Sequence, residues 1–474
     1  MNPGQDKAVF MKTHRQDNEL SAPTHIPHVE GLESLYGQEE VAKQTARYAA
    51  LVQIFKERAY KEHAHSGSTG MDFTSVPSLD KTSRLRFYSS PGRTELCGNH
   101  TDHNRGNVLA AAIQMDMAAV ACPSTDSLVQ VRSEGFGEFT IDIADNTIHP
   151  EEQGSSQALV RGIADGIRRF CKQRKSAKDV PLQMHGFSAC IQSNVLPGSG
   201  LSSSASFEVL IGSILADCNQ LDFSPSELAQ IGQYAENHYF GKPCGLMDQM
   251  ACALGQIAAL DFVDPENPNI RLFSFDPEDY GYSLLIVNTG GSHADLTDSY
   301  RDIPFEMTSV ARIFGKEVLR GVSLEDLKAK IDEIRKTCGD RAFVRAYHFI
   351  TENERAQKIT EAITKGDIAE YLEIVHRSSE SSWKYLQNLY PNESPRDEGL
   401  AVALAMTEEF FDRKTAGKGV CRVHGGGFAG TIQVYIPCEY RQFYIEEMEK
   451  LFGKGSVFPL RIRPYGVVCI DRVD

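Results

Sequence analysis

The pattern of apolar and polar positions predicts a chain in which strands and helices are interspersed. Apolar residues alternate with polar ones, as in strands, over residues 84–89, 129–133, 188–193 and 283–287. They recur at helical spacing over residues 40–62, 207–215, 341–364 and 368–389. A chain of 474 residues exceeds the size of one core, so we take the strand at 283–287 as the start of a second domain.

One helix start is marked by residue type as well as by periodicity. Ser224 stands at the N-cap, Pro225 in the first position and Glu227 in the third, which is a capping box. A turn over residues 241–244 follows, and Asp248 falls in the first turn of the next helix. A carboxylate there commonly serves only the helix dipole, worth about 0.3–1 kcal/mol. A structural and a catalytic role therefore both stay open for Asp248.

Composition and charge restrict the function classes. The net charge is −15 and no cluster of lysine or arginine offsets it, which argues against nucleic acid or an anionic membrane as a partner. The stretch nearest to a transmembrane helix, residues 108–122, is interrupted by Gln114 and Asp116. The first six residues lack the basic start and apolar core of a secretory signal, so we expect a cytoplasmic protein.

The cysteines indicate neither a disulfide framework nor a zinc site. There are 11 of them, an odd number, scattered along the chain without any C-x-x-C pair. We expect most of them to fill space in the core.

A polar segment at residues 91–104 carries the residue types that bind polyols. Arg93 offers a planar cation, Asp102 a carboxylate that can accept from paired hydroxyls, and His100 a further polar ring. Glycines bend the backbone around them. An ordinary polar turn has a similar composition, so this segment alone leaves both interpretations open.

A second segment, residues 196–205, is rich in glycine and serine and lies between a predicted strand and a predicted buried helix. The first N–H groups of a helix are unpaired and the positive end of its dipole lies there, so this position suits a phosphate. The segment is not a Walker loop, because no Gly-Lys-Ser/Thr follows the glycines, and it lacks a Rossmann fingerprint.

Three consecutive glycines, Gly425, Gly426 and Gly427, precede a strand-like alternation at residues 432–436. Glycine is costly in chain entropy, so such a run indicates either a tight turn or a close approach to a ligand. Local sequence does not choose between the two.

Taken in order, these segments resemble the GHMP small-molecule kinase superfamily and, within it, the galactokinases. The run at 91–104 is similar to the galactokinase signature, and Gly-Leu-Ser-Ser-Ser-Ala-Ser at 200–206 to the phosphate loop. Pro-Cys-Gly-Leu-Met-Asp-Gln at 243–249 is similar to the segment of the catalytic aspartate, and Gly-Gly-Gly-Phe-Ala-Gly at 425–430 to the third motif. The resemblance extends from residues 40–62 to the C-terminus.

The resemblance implies an α+β fold of two domains, the GHMP kinase fold, with the active site in the cleft between them. We accordingly divide the chain into a flexible leader over residues 1–30, an N-terminal domain over 31–282 and a C-terminal domain over 283–474. The N-terminal domain would contain an insertion over 65–81, the sugar signature, the phosphate loop and the catalytic aspartate. The third glycine motif would belong to the C-terminal domain.

The resemblance also implies roles for individual residues. Arg93 and Asp248 would be catalytic and flank the anomeric hydroxyl of the sugar, with Asp248 accepting its proton. Asp102 would hold two ring hydroxyls. The other substrate-binding residues that the resemblance implies are Asn99, His100, Gly245, Tyr300, Gly426 and Gly427.

For the nucleotide, the resemblance implies ATP and Mg²⁺ as cofactors. The implied ATP-binding residues are Gly198, Ser199, Gly200, Leu201, Ser202, Ser203, Ser204 and Ala205. Ser203 and Ser204 would also face the metal ion. The implied reaction is the ATP-dependent phosphorylation of the C1 hydroxyl of galactose, which gives α-galactose 1-phosphate.

Asn99 departs from the family pattern, in which a glutamate at this position reaches the C6 hydroxyl of the sugar. Losing that hydrogen bond would cost on the order of 1–3 kcal/mol unless water fills the gap. Galacturonate, N-acetylgalactosamine, arabinose and fucose therefore stay open as substrates beside galactose. A non-catalytic sensor of galactose and ATP is a further alternative, although the segment 203–205, which such relatives lose in part, is intact. We expect a monomer whose partners are the sugar and ATP.

Overall fold

The computed structural model describes residues 18–65, 85–134, 137–174, 183–196, 198–242, 244–291, 296–391, 396–471 and 473. The strands are β1 (Glu19–Leu20), β2 (His28–Val29), β3 (Arg86–Cys97), β4 (Asn107–Pro123), β5 (Leu128–Ser133), β6 (Gly137–Asp142), β7 (Phe187–Ser193), β8 (Ile257–Asp261), β9 (Asn269–Phe273), β10 (Tyr282–Asn288), β11 (Val420–Val423), β12 (Thr431–Pro437), β13 (Val457–Leu460) and β14 (Val468–Ile470). The helices are α1 (Leu32–Tyr36), α2 (Val41–His65), α3 (Ser156–Arg174), α4 (Ser203–Cys218), α5 (Pro225–Ala235), α6 (Met247–Leu254), α7 (Thr297–Ile313), α8 (Leu324–Ala329), α9 (Ile331–Thr337), α10 (Asp340–Lys365), α11 (Ile368–Ser381), α12 (Gly399–Lys414) and α13 (Arg441–Phe452).

The larger sheet is built around the long strand β4. Its main order is β1-β9-β8-β4-β3-β14-β2, and β7, β5 and β6 extend it from β4. Two partners share one edge of β4, because residues 107–111 pair with β8 and residues 117–123 pair with β7. Strand β3, which carries the sugar-signature segment, pairs with the other edge and is therefore held at the centre of the sheet.

Strand β4 is apolar over most of its length because both of its faces are covered. Ala118 and Val120 face the cluster formed with α2, whereas Ala119 and Ala121 face the main core with α3, α4 and α5. This double burial explains the apolar stretch at 108–122, which is a strand. Within the described ranges, no helix combines the length and apolarity required to cross a bilayer.

The smaller sheet carries the glycine-rich loop. Its antiparallel order is β11-β12-β10-β13. Leu285 and Val287 of β10 pack in a cluster with α12 and α13, and Leu284 and Ile286 pack in the main core, to which α10 and α11 also contribute. The three glycines lie between β11 and β12, so this sheet fixes both ends of their loop.

The predicted elements agree with the structure in most places. The predicted strand runs 129–133, 188–193 and 283–287 fall in strands, and the run 84–89 does so from Arg86 onward. The capping box is formed, with Ser224 N–H donating to Glu227 Oε2 over 2.8 Å. The helix predicted over 368–389 is shorter than predicted. It ends as α11 at Ser381 and continues as a π-helical turn, Ser382–Leu386, after which Gln387 adopts a left-handed backbone (φ 57°).

Sheet membership crosses the predicted domain limits. Residues 18–30 of the predicted leader include β1, which pairs with β9, and β2, which pairs with β14. Strand β14 itself lies beside β3 in the larger sheet, although it belongs to the end of the predicted C-terminal domain. Of the predicted insertion, residues 66–81 lie outside the described residues, as do residues 1–17 of the leader. The division at residue 283 stays a prediction.

Candidate active site

Arg93 and Asp248 meet at the centre of the site. Arg93 lies on β3, where the pairing with β4 shifts register between Pro91 and Arg93, and Asp248 lies in the first turn of α6. The guanidinium Nε donates to Asp248 Oδ1 and its Nη2 donates to Oδ2, each over 2.7 Å. This two-pronged ion pair brings together residues that are 155 positions apart in the chain.

The carboxylate of Asp248 is accessible, whereas its partner is not. The side chain of Asp248 is 33% exposed and that of Arg93 is 6% exposed. Ser202 Oγ also donates to Asp248 Oδ2. Burial by itself raises the pKa of Asp248, but the charge and hydrogen bonds of Arg93 and the Ser202 hydroxyl bring the pKa below its ordinary value. Asp248 is therefore ionised at neutral pH and open to a ligand.

The phosphate loop is fastened to the strand that carries Arg93. The Arg93 backbone N–H donates to Leu201 O over 3.1 Å, and its Nη1 donates to Gly200 O. Ser199 turns inward, and its hydroxyl donates to Leu196 O over 2.6 Å. Leu201 and Ala205 are buried, so of the predicted nucleotide residues these three support the loop from inside.

The other residues of this loop form the start of α4. Ser202, the N-cap residue, adopts a left-handed backbone (φ 59°), which non-glycine residues rarely do. Ser203 and Ser204 begin the helix and are partly exposed, and their hydroxyls have no hydrogen-bond partner within the described residues. Gly198 and Gly200 lie in the turn that precedes these serines. A helix start with free N–H groups and free hydroxyls is suited to an anion.

Asp102 and Gly245 form the side of the site next to Asp248. The Asp102 carboxylate accepts from the His103 N–H over 3.0 Å through Oδ1, and its side chain is 11% exposed. A Cβ atom added to Gly245 would lie 1.8 Å from Asp102 Oδ2. Only glycine permits this approach, which brings the Asp102 carboxylate close to the segment leading into α6.

His100 and Tyr300 are both fastened to the glycine loop. His100 Nε2 donates to Gly426 O over 3.0 Å, and Tyr300 Oη donates to Gly427 O over 2.8 Å. Burial and the neighbouring His103 lower the pKa of His100 to about 4, so the ring is neutral. A Cβ atom on Gly426 would lie 2.5 Å from the Tyr300 ring. Gly426 therefore serves close approach rather than a turn alone.

Comparison with known proteins assigns the family. The model of the GHMP kinases N terminal domain matches residues 158–256, and the galactokinase galactose-binding signature matches residues 79–123. A galactokinase of Mannheimia succiniciproducens is 31% identical over 392 residues, which span 82% of this chain and 94% of the relative. Human galactokinase is 30% identical over 393 residues, which span 81% of this chain and 92% of the relative. This chain belongs to the galactokinase family.

Solved structures agree with this membership. The galactokinase of Lactococcus lactis complexed with galactose superposes with a TM-score of 0.67 at 25% identity, covering 82% of this chain and 95% of that one. A mevalonate kinase of Methanococcus jannaschii, at 14% identity and a TM-score of 0.54, shares the fold alone. The fold is the α+β fold of the GHMP kinases, as the sequence implied, and the family is one of ATP-using sugar kinases.

Asn99, the residue at which this chain departs from the galactokinase pattern, is fully buried. Its Nδ2 donates to Glu95 Oε2 over 3.0 Å and to Gly425 O over 2.7 Å. Its Oδ1 accepts from Asn388 Nδ2 over 2.8 Å and from Ser382 Oγ over 3.4 Å. All hydrogen-bonding positions of the Asn99 amide therefore have protein partners. The predicted contact between Asn99 and the sugar stays a prediction.

Several residues that connect the galactokinase motifs do not stand out in the sequence. His424 Nδ1 lies 3.0 Å from Thr431 Oγ1, which in turn donates to Ser199 O over 2.7 Å. The other ring nitrogen of His424 lies 2.9 Å from Thr94 Oγ1. His424 thus ties the glycine motif to the phosphate loop and to β3. The sign of this role in the sequence was that His424 directly precedes the three glycines.

A buried carboxylate cluster lies behind Asp248. Gln249 Nε2 donates to Glu208 Oε2 and to Glu236 Oε2, each over 2.9 Å, and Lys242 Nζ lies 3.3 Å from Glu236 Oε1. Burial, followed by the charge of Glu236, raises the pKa of Glu208 well above its ordinary value, which favours its protonated form. Helical periodicity predicts α4 and α5, but it does not show that Glu208 of α4 lies near Glu236, which directly follows α5.

Within the described residues, no group of three or more histidine, cysteine, aspartate or glutamate side chains has the geometry of a metal site. No disulfide joins any of the 11 cysteines, all of which lie in the described residues. The role of Ser203 and Ser204 in facing Mg²⁺ stays a prediction; their hydroxyl oxygens are of the kind that Mg²⁺ accepts as ligands.

Proposed function

We propose that this chain transfers the γ-phosphoryl group of ATP to the C1 hydroxyl of galactose and forms α-galactose 1-phosphate. The observation that carries the proposal is the ion pair of Arg93 with the exposed Asp248 carboxylate, directly beside the free start of α4. Galactose as the substrate is supported by the matched galactose-binding signature and by the similarity to a galactokinase complexed with galactose.

Asp248 would orient the C1 hydroxyl and accept its proton. Because Arg93 holds the pKa of Asp248 below its ordinary value, the carboxylate is a weak base. The proton would therefore leave late, when the new O–P bond has begun to form and the hydroxyl has become more acidic. Positioning and charge stabilisation then supply most of the rate enhancement.

The start of α4 would hold the phosphates. Its free N–H groups and the hydroxyls of Ser203 and Ser204 favour an anion there, and the glycine turn lets the backbone approach closely. Bound Mg²⁺ would neutralise charge on the phosphate oxygens. The guanidinium of Arg93 is held by two hydrogen bonds to Asp248 and one to Gly200 O. Its positive charge is therefore fixed in position, where it would stabilise the negative charge that develops between sugar and phosphate.

Ring hydroxyls of the sugar would bind to Asp102, whose carboxylate lies where a side chain at position 245 would otherwise be. His100 and Tyr300, held by the carbonyls of Gly426 and Gly427, would close the other side. A cytoplasmic location and a monomeric state belong to the same proposal.

The test is release of ADP from MgATP by the purified full chain with galactose, galacturonate, N-acetylgalactosamine, arabinose, fucose or glucose as acceptor. We expect the highest kcat/KM with galactose and a product phosphorylated at C1 by ³¹P NMR. Faster turnover of another sugar would contradict the substrate but keep the kinase. Tight binding of galactose and ATP without ADP release would instead identify a sensor.

A further inference from the structure

The amide of Asn99 has no polar position left for a ligand. An asparagine side chain has two N–H donors and two acceptor lone pairs. Here the donors go to Glu95 Oε2 and Gly425 O, and the acceptor receives Asn388 Nδ2 and Ser382 Oγ. Reversing the amide would point its oxygen at a carboxylate and a carbonyl, so the network itself determines the orientation.

Glu95 makes this arrangement specific to an amide at position 99. Its Oε2 accepts from Asn99, and its Oε1 accepts from Arg422 Nη2 over 2.7 Å. Glu95 is 2% exposed and Arg422 is fully buried, so the ion pair has no access to water. A second carboxylate at position 99 would face Glu95 at hydrogen-bond distance, while Arg422 is the one cation hydrogen-bonded to Glu95 among the described residues.

Accessibility separates Asn99 from the groups that face the cleft. The side chains of Asp248 and Asp102 are 33% and 11% exposed, whereas Asn99 is 0% exposed. The bonds of Asn99 run instead to the backbone of the glycine loop. Asn388 Nδ2 donates both to Asn99 Oδ1 and to Gly426 O, the carbonyl that orients His100.

We propose that Asn99 is a positioning residue that works as a pair with Glu95. Together they fasten the glycine loop to the sugar-signature segment, and position 99 does not read the C6 substituent of the sugar. This inference rests on the proposed function. It narrows the question of substrate choice, because the asparagine at position 99, where the family has glutamate, then does not determine which C6 substituent the sugar carries.

An isosteric exchange tests the pair by stability alone. Asn99→Asp places two carboxylates together and removes the donor to Gly425 O, so we expect the unfolding midpoint to fall by about 2 °C or more. Adding Glu95→Gln supplies an amide donor to the new carboxylate and should recover a substantial part of that loss. An Asn99→Asp loss that Glu95→Gln does not reduce would contradict the pairing.

Kinetics on the double variant Glu95→Gln/Asn99→Asp test the role. We expect the KM for galactose to rise while the KM for ATP stays within about twofold, because the bonds lead to the sugar side of the loop. The ratio of kcat/KM for galactose to that for 6-deoxygalactose should also stay within about twofold of the parent. A change of about tenfold in that ratio, equivalent to about 1.4 kcal/mol, would show that position 99 reads C6 and overturn the proposal.

Thr407→Val is the matched control for general destabilisation. It removes a buried hydroxyl that lies 2.7 Å from Tyr444 Oη, between α12 and α13, and shares no hydrogen-bond partner with Asn99. We expect a lower unfolding midpoint with both KM values unchanged; a rise of the galactose KM here would attribute the Asn99 effect to loss of stability. If the parent releases no ADP with galactose, the proposed function fails, while the unfolding measurements still decide whether Glu95 and Asn99 form a pair.

Discussion

At the scale of single residues, the proposed chemistry depends on the carboxylate of Asp248, whose charge is subject to opposing influences. Burial disfavours the charge of Asp248, and Arg93 and Ser202 restore it. The fixed fork of the guanidinium also sets the orientation of the carboxylate, which a lysine at position 93 would not do. In the proposed mechanism, Asp248 would therefore act more by orienting the sugar hydroxyl than as a strong base.

Asp248→Asn should lower kcat by about 10²–10⁴-fold while sugar binding is largely retained. The amide keeps the shape of the side chain, but it cannot accept the proton of the sugar hydroxyl and cannot accept hydrogen bonds from both Nε and Nη2 of Arg93. Steady-state ADP release measures the first effect, and calorimetric titration with galactose measures the second. Near-normal turnover in this variant would remove Asp248 from the mechanism.

At the scale of elements, helix α10 clamps the sugar-signature turn. Three of its side chains bind the backbone of that turn: His348 Nε2 donates to Asn99 O over 2.9 Å, Glu352 accepts from Gly98 N–H over 3.0 Å, and Asn353 accepts from Asn107 N–H over 2.7 Å. Burial lowers the pKa of His348 to about 4, so its neutral ring donates through Nε2. The turn that carries Asp102 is therefore held from the far side by one helix face.

Glu352→Ala should lower the free energy of unfolding by about 3–5 kcal/mol. Burial raises the pKa of this carboxyl, but Arg355 and the other neighbours bring it well below its ordinary value, so its charge is paired in the fold. Its removal leaves Arg355 and the Gly98 N–H without their partner. Chemical denaturation measures the change, and Glu354→Ala, an exposed position on the same helix, is the control with an expected effect under about 0.5 kcal/mol. Equal effects of the two substitutions would contradict the clamp.

At the scale of the whole molecule, a buried ionic network joins both ends of the described chain to the larger sheet. Asp116 of β4 lies 2.6 Å from Arg47 Nη1 on α2 and 3.3 Å from Arg463 Nη1, just before β14. Tyr36 of α1 donates to the same carboxylate over 2.5 Å. The central strand therefore holds the N-terminal helices and the C-terminal segment through one side chain.

Asp116→Asn should cost about 3–5 kcal/mol near pH 7, because two buried cations lose their counter-charge. Burial raises the pKa of Asp116, but the two arginines bring it below its ordinary value, so its stabilisation is complete above the unfolded pKa of about 3.9 and is lost as pH falls through the folded pKa. The difference from the parent should stay constant down to about pH 5 and shrink below about pH 4. Urea unfolding at a series of pH values measures it, with the exposed Asp412→Asn as control; a difference that grows toward acid would be the wrong sign.

The sequence by itself determined the local features of this protein. Strand alternation, helical spacing and the Ser224 capping box follow from residues within a few positions of one another, and their interpretation is confirmed. The four motifs were also recognisable, because glycine, serine, arginine and aspartate occur there in a fixed local order. They were sufficient for the family and for the fold class, and they placed Arg93 and Asp248 together in the expected site.

Only the tertiary structure decided what each polar side chain contacts. Asn99 is 289 positions from Asn388, and Glu95 is 327 positions from Arg422, so no local pattern could show that the residue at position 99 is already satisfied. The pairing of β2 and β14, and the clamp from α10, likewise join distant segments. Periodicity reports whether a side chain is buried, but a buried polar group must find its partner wherever the packed chain brings a complementary atom.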